Sequence, residues 1–137
     1  MISQDKLIIA VDFDGTIVED AYPSIGDPMI FAFETLKKLQ DNGHRLILWT
    51  YRHGHRLDEA VEFCRKKGIE FYAVNKSFPE ETYQGEASRK IHADLFIDDR
   101  NIGGFMGWGE IYQLLTHGPM DLYKPEKKKK GLFSFFK

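Results

Sequence analysis

The feature that most constrains the fold of this 137-residue chain is an apolar run that ends abruptly in carboxylates. The run Leu7-Ile8-Ile9-Ala10-Val11 is rich in β-branched residues and predicts a buried strand. It is followed at once by Asp12-Phe13-Asp14-Gly15-Thr16. Side chains two residues apart on an extended chain point to the same side. Asp12 and Asp14 can therefore face one point at the carboxyl end of the strand, and Gly15 permits a sharp turn.

Two later apolar runs also end in polar side chains. Residues 46–50 end in the hydroxyl of Thr50, and residues 94–99 end in the carboxylates of Asp98 and Asp99. Strands are predicted near 6–12, 45–50, 70–74 and 94–98, and helices near 28–42 and 55–67. This alternation predicts parallel strands with right-handed crossovers. In the strand order 3-2-1-4, both acidic pairs would lie at the switch point where such sheets bind ligands.

In their order along the chain, these motifs resemble the signatures of the haloacid dehalogenase (HAD) superfamily, most of whose members are phosphatases. Residues 12–16 are similar to its first motif, DxDGT, and Thr50 to its second. Lys90 lies where its third-motif lysine is usually found, and Asp98-Asp99 is similar to its fourth motif. The resemblance covers roughly residues 6–116. It implies an α/β fold, a Rossmann-like three-layer sandwich with a mainly parallel sheet.

The chain leaves little room for the cap domain that many HAD relatives carry. Only a short flap fits between Thr16 and Pro28, and a helix, a strand and a loop use most of the residues between Thr50 and Asp94. We therefore expect a capless member of the superfamily. Its open site would accept a bulky phosphomonoester, or a second subunit of a homo-oligomer would cover it.

The resemblance implies a mechanism for each motif. Asp12 would attack phosphorus and form an aspartyl-phosphate intermediate. Asp14 would protonate the leaving alkoxide and later deprotonate the hydrolytic water. Thr50 would hydrogen-bond a phosphate oxygen, and Lys90 would neutralise phosphate charge, although the neighbouring Arg89 could supply that cation instead.

Four carboxylates in one pocket would repel each other and the phosphate, and a divalent metal relieves that repulsion. Oxygen donors without a histidine or cysteine cluster favour Mg²⁺. The resemblance implies that the Asp12 side chain and the Asp14 backbone carbonyl are direct ligands. It favours Asp99 as the third ligand, with Asp98 acting through bound water, but the choice between the two stays open.

Two residues are candidates for substrate contact. Arg52 follows Thr50 in a basic segment, and its guanidinium suits an anionic substrate group, although a solvated loop would have the same composition. Asn75 follows the third predicted strand at the same end of the sheet, although asparagine also commonly starts turns. Neither residue identifies the substrate, so a nucleotide, a nucleic-acid end, a sugar phosphate and a phosphoprotein all stay open.

Two other functions compete with a phosphatase. A phosphoryl-accepting receiver domain in signalling also uses an acidic pair, an aspartate, a threonine and a lysine. Its acceptor lies mid-chain, where this chain has Thr50. A non-catalytic binding module is the third alternative, but all the catalytic side chains that the resemblance implies are present.

Composition predicts a single globular domain over residues 1–123. Its single cysteine, Cys64, cannot form an internal disulfide, which predicts a reducing, cytoplasmic setting. Residues 124–137 differ, with six lysines against one glutamate and three phenylalanines. We expect a flexible tail there, with weak contact to anionic membranes or nucleic acid as the alternative.

Overall fold

The computed structural model describes residues 6–82 and 88–116, so the predicted tail at 124–137 lies outside the described residues. The fold is α/β, as predicted. The elements in chain order are β1 (Ile8–Val11), α1 (Ala32–Asp41), β2 (Arg45–Leu48), α2 (Gly54–Lys66), β3 (Ala73–Val74), β4 (Leu95–Ile97) and α3 (Trp108–Thr116). The chain divides into two compact units between Phe105 and Met106, and α3 belongs to the second. Within the described ranges, no helix is both long enough and apolar enough to cross a membrane.

The four strands form one parallel sheet in the order β3-β2-β1-β4, which confirms the predicted order. The register aligns the last residues of the strands. Val11 pairs with Leu48 on one side and with Ile97 on the other, and Leu48 pairs with Val74. The residues that follow each strand therefore emerge side by side at one edge of the sheet.

Both faces of the central strands are buried, which explains why these strands read as continuous apolar runs. Ala10, Ile47 and Ala73 form a cluster on one face together with Ile91. The ring of Phe63 on α2 meets the ring of Phe33 on α1 and the ring of Phe13 in the first motif. Helices α1 and α2 therefore pack together beside the first motif.

Helix α1 begins later than the predicted residue 28, because the backbone just before it is used elsewhere. The carbonyl of Asp27 accepts a 2.8 Å hydrogen bond from Glu19 N–H, and Met29 N–H donates to Ile17 O at 2.8 Å. Residues 18–28 therefore pair as a short flap. The helix begins only after Phe31, which has a left-handed backbone with φ 67°. The predicted start is wrong for this reason, whereas the predicted absence of a cap domain after the first motif agrees with this short flap.

Candidate active site

The carboxyl edge of the sheet carries a cleft of about 460 Å³. Its walls come from the ends of β1, β2 and β4 and from the flap. The lining residues are Asp12, Asp14, Asp20, Tyr22, Thr50, Tyr51, Asp98, Asp99 and Arg100. Five of the predicted site residues, from three motifs that are far apart in sequence, therefore line the same cleft.

Three of the carboxylates form a tight cluster. One oxygen from each of Asp12, Asp98 and Asp99 lies within 4.8 Å of the other two. The buried hydroxyl of Thr16 bridges the cluster, at 3.0 Å from Asp12 Oδ2 and 3.2 Å from Asp99 Oδ1. The backbone also fixes this arrangement, because Asp12 N–H donates to Ile97 O at 3.0 Å and so aligns the ends of β1 and β4.

The cluster has an unfavourable electrostatic balance in the absence of a cation. Burial, the hydrogen bond with Asp99 and repulsion by Asp98 together raise the pKa of Asp12 to about 8. A carboxyl with such a pKa retains a proton at neutral pH. A bound divalent cation would remove this penalty, because it would favour the ionised form of every carboxylate in the cluster.

Gly15 is required for the close approach of the first and fourth motifs. Its backbone has φ +88°, which strains any residue that carries a Cβ. A Cβ at this position would also overlap the Asp99 carboxylate and lie 2.8 Å from its Cγ. The glycine therefore does more than allow the predicted turn, since it also makes room for a site carboxylate.

The Asp14 carboxylate does not belong to the three-carboxylate cluster, because it is held by Arg52. Arg52 Nε donates to Asp14 Oδ2 and Arg52 Nη2 donates to Asp14 Oδ1, both at 2.8 Å. This bidentate pair engages both carboxylate oxygens. A metal role for Asp14 through its backbone carbonyl, which the resemblance implies, stays a prediction.

All five N–H groups of the Arg52 side chain have protein acceptors. In addition to Asp14, Nη1 donates to Pro23 O at 3.1 Å and to Arg56 O at 3.3 Å, and Nη2 donates to Ser24 O at 2.8 Å. The guanidinium lies 5.1 Å from the ring centres of Phe13 and Tyr22. The hydrogen bond with Asp14 raises the pKa of Arg52 further.

These contacts give Arg52 a structural role, because they connect the flap to the first motif. The side chain is fully buried and is not among the residues that line the cleft. A substrate contact by Arg52 stays a prediction, and in this conformation its donors point at the protein. The sequence carried no signal for this, since an arginine after a strand has the same local pattern in either role.

Thr50 and Asn75 are linked to each other. Asn75 Oδ1 accepts the backbone N–H of Thr50 at 2.8 Å, and Asn75 Nδ2 donates to Arg52 O at 3.5 Å. Asn75 itself has a left-handed backbone with φ 56°. Its amide thus supports the loop that carries Thr50, and a direct substrate contact by Asn75 stays a prediction.

Lys90 is exposed and is not among the residues that line the cleft. Its backbone N–H donates to Ser88 Oγ at 3.1 Å. A phosphate contact by Lys90 or Arg89 stays a prediction. Among the lining residues, the cation is Arg100, directly after the fourth motif. The sequence analysis had assigned no role to Asp20, Tyr22 or Tyr51.

The chain is closely similar to a protein of known structure. No protein-family model matches the chain, and no curated protein matches it either. A solved structure of a conserved protein from Bacteroides thetaiotaomicron is 55% identical in sequence and superposes with a TM-score of 0.79. The match covers 88% of this chain and 98% of that one. The chain therefore belongs to the same family as this conserved Bacteroides thetaiotaomicron protein.

Proposed function

We propose that this protein is a Mg²⁺-dependent phosphomonoester hydrolase of the HAD type, with Asp12 as the nucleophile and Asp14 as the general acid and base. The observation that carries the proposal is the convergence of Asp12, Asp14, Thr50 and the Asp98-Asp99 pair on one cleft. They are the side chains that the resemblance assigns to catalysis and metal binding, apart from Lys90, which is not among the residues lining the cleft.

The donor set of the acidic cluster fits Mg²⁺. It offers oxygen ligands alone, from Asp12, Asp98 and Asp99, and their mutual repulsion is the kind that a hard cation relieves. Asp12 and Asp99 would hold the ion directly, with Asp98 acting through water. When bound, the ion would polarise the phosphoryl group and offset its negative charge.

The first half of the reaction transfers the phosphoryl group to the protein. An Asp12 carboxylate oxygen attacks phosphorus, the bond between phosphorus and the leaving oxygen breaks, and Asp14 gives that oxygen a proton. Asp14 has both oxygens on Arg52 in this conformation. One Asp14 oxygen must therefore leave Arg52 and take up a proton from solvent before it can protonate the leaving oxygen.

The second half releases phosphate. Asp14 takes a proton from water as the water oxygen attacks phosphorus, and the bond to Asp12 breaks to restore the carboxylate. Thr50 is suited to hold the phosphoryl group throughout. The Thr50 hydroxyl oxygen accepts the backbone N–H of Arg52 at 3.2 Å, so the hydroxyl hydrogen of Thr50 can be donated to a phosphoryl oxygen.

The experiment that tests this proposal measures phosphate release from small phosphomonoesters by the purified protein with millimolar Mg²⁺. We expect turnover that falls by at least about 10³-fold in Asp12→Asn, since the nucleophile is removed and the volume is kept. Asp58→Asn is the matched control, because Asp58 is an exposed carboxylate on α2.

Three outcomes would contradict the proposal. Asp12→Asn could hydrolyse at the wild-type rate, or excess chelator could leave activity unchanged. A wild-type protein that takes up one phosphoryl group and does not release it would favour a receiver-like domain instead.

A further inference from the structure

We propose that Tyr22 and Tyr51 form a subsite for an aromatic ring, so that the substrates are phosphomonoesters of alcohols that carry a neutral planar ring. This inference rests on the proposed function and names its substrate class. The proposed reaction uses the carboxylate cluster, Asp14 and Thr50. The two tyrosines are among the lining residues of the cleft that it does not use.

Tyr22 supplies the fixed side of the subsite. The buried Arg52 guanidinium lies 5.1 Å from the ring centre, and Arg52 also holds the carbonyls of the next two residues, Pro23 and Ser24. The backbone N–H of Tyr22 donates to Asp20 Oδ1 at 3.2 Å. The ring is therefore positioned by contacts on its own residue and on the residues that follow it.

Tyr51 supplies the open side. It comes directly after Thr50, the residue proposed to hold the phosphoryl group, and 83% of it is exposed. The rings of Tyr51 and Tyr22 lie 6.0 Å apart at 69°, so they form a corner and do not stack on each other. A planar ring can stack on one tyrosine and present its face or edge to the other, as aromatic groups prefer.

The charges that line the cleft disfavour a ring that carries negative charge. The nine lining residues include five carboxylates and one cation, Arg100. Asp20 belongs to the same part of the flap as Tyr22. A leaving group that carried further phosphates would meet this negative charge, whereas ring hydroxyl or amino groups could donate to Asp20.

The test compares benzyl phosphate with cyclohexylmethyl phosphate, which have the same kind of primary alcohol and differ in the planarity of the ring. We expect a KM at least about fivefold lower for benzyl phosphate, since stacking on a tyrosine contributes measurably to binding. Tyr51→Ala should raise the KM for benzyl phosphate about fivefold and leave that for cyclohexylmethyl phosphate nearly unchanged, which removes the preference. Tyr51→Phe should retain the preference, because it keeps the ring.

Phe78→Ala is the control, because Phe78 is an exposed aromatic residue that is not among the residues lining the cleft. Equal KM values for the two esters, or equal effects of Tyr51→Ala on both, would overturn the subsite. If neither ester is hydrolysed, calorimetry with the two corresponding phosphonates tests the subsite without turnover, and the Asp12→Asn and chelator experiments test the proposed function separately. Tighter binding of the benzyl compound that depends on Tyr51 would support the subsite, and equal binding would overturn it.

Discussion

Replacing Arg52 with methionine should cost the protein a large part of its stability, because Arg52 connects the flap to the first motif. The substitution keeps an unbranched side chain but removes the charge and all five N–H donors. It leaves the Asp14 carboxylate without its partner and deprives the carbonyls of Pro23, Ser24 and Arg56 of a donor.

The expected magnitude follows from the burial of the pair. Removing one partner of a buried ion pair costs about 3–5 kcal/mol, because the other charge is left uncompensated. The Arg52 side chain is 0% exposed and that of Asp14 is 15% exposed, which places the expected cost near the lower limit, at about 3 kcal/mol. Urea denaturation at neutral pH without metal measures this cost.

A double-mutant cycle separates the pair from the other contacts of Arg52. Asp14→Asn should destabilise the protein less in the Arg52→Met background than in the wild type, with a coupling energy of at least about 1.5 kcal/mol. Arg56→Met is the matched control, since the exposed Arg56–Glu59 pair at 3.3 Å should contribute under about 1 kcal/mol. An Arg52→Met cost as small as that of Arg56→Met would refute the argument.

Three further predictions follow from the described residues. Gly15→Ala should destabilise the fold and abolish turnover, because the alanine Cβ would overlap the Asp99 carboxylate and the backbone at this position is strained for any residue with a Cβ. A melting curve and a turnover assay equal to those of the wild type would contradict this. Saturating Mg²⁺ should raise the free energy of unfolding, by about 2.7 kcal/mol at one hundred times the dissociation constant. Asp99→Ala should reduce that gain more than Asp98→Ala, as measured by thermal melting across a Mg²⁺ titration, and equal gains would reject the assignment of Asp99 as the direct ligand. Burial lowers the pKa of His44, and its Nδ1 accepts the backbone N–H of Leu7 at 3.0 Å. As the pH falls below 6.5, His44 therefore binds a proton in the unfolded chain before it does so in the folded protein. The free energy of unfolding should therefore decline from pH 6.5 down through the lowered pKa of His44. His44→Asn keeps a hydrogen-bond acceptor but does not titrate, so it should remove that part of the decline in urea titrations at several pH values. An unchanged pH profile in His44→Asn would contradict this prediction.

The acidic centre could be predicted from the sequence because its geometry is local to the strand ends. Asp12 follows β1 directly and Asp98 follows β4 directly, and the parallel sheet aligns Val11 with Ile97. A strand-end motif and a strand order are enough to bring such residues together. Their types then indicate the chemistry.

The outer part of the cleft could not be predicted, because it depends on contacts between distant segments. Arg52 reaches the carbonyl of Ser24, 28 residues away, and so fixes where Tyr22 lies. The start of α1 was missed for a similar reason, since Asp27 pairs with Glu19 across the flap. No local pattern in the sequence specifies either pairing.

The most direct test of the central claim is to trap the phosphorylated protein during turnover and locate the modified residue. Borohydride reduces an aspartyl phosphate to homoserine, which peptide mass spectrometry can place in the sequence. The account predicts homoserine at position 12, formed only with substrate and Mg²⁺ and missing in Asp12→Asn. Hydrolysis without any trapped intermediate under these conditions, or homoserine at position 98 or 99, would contradict it.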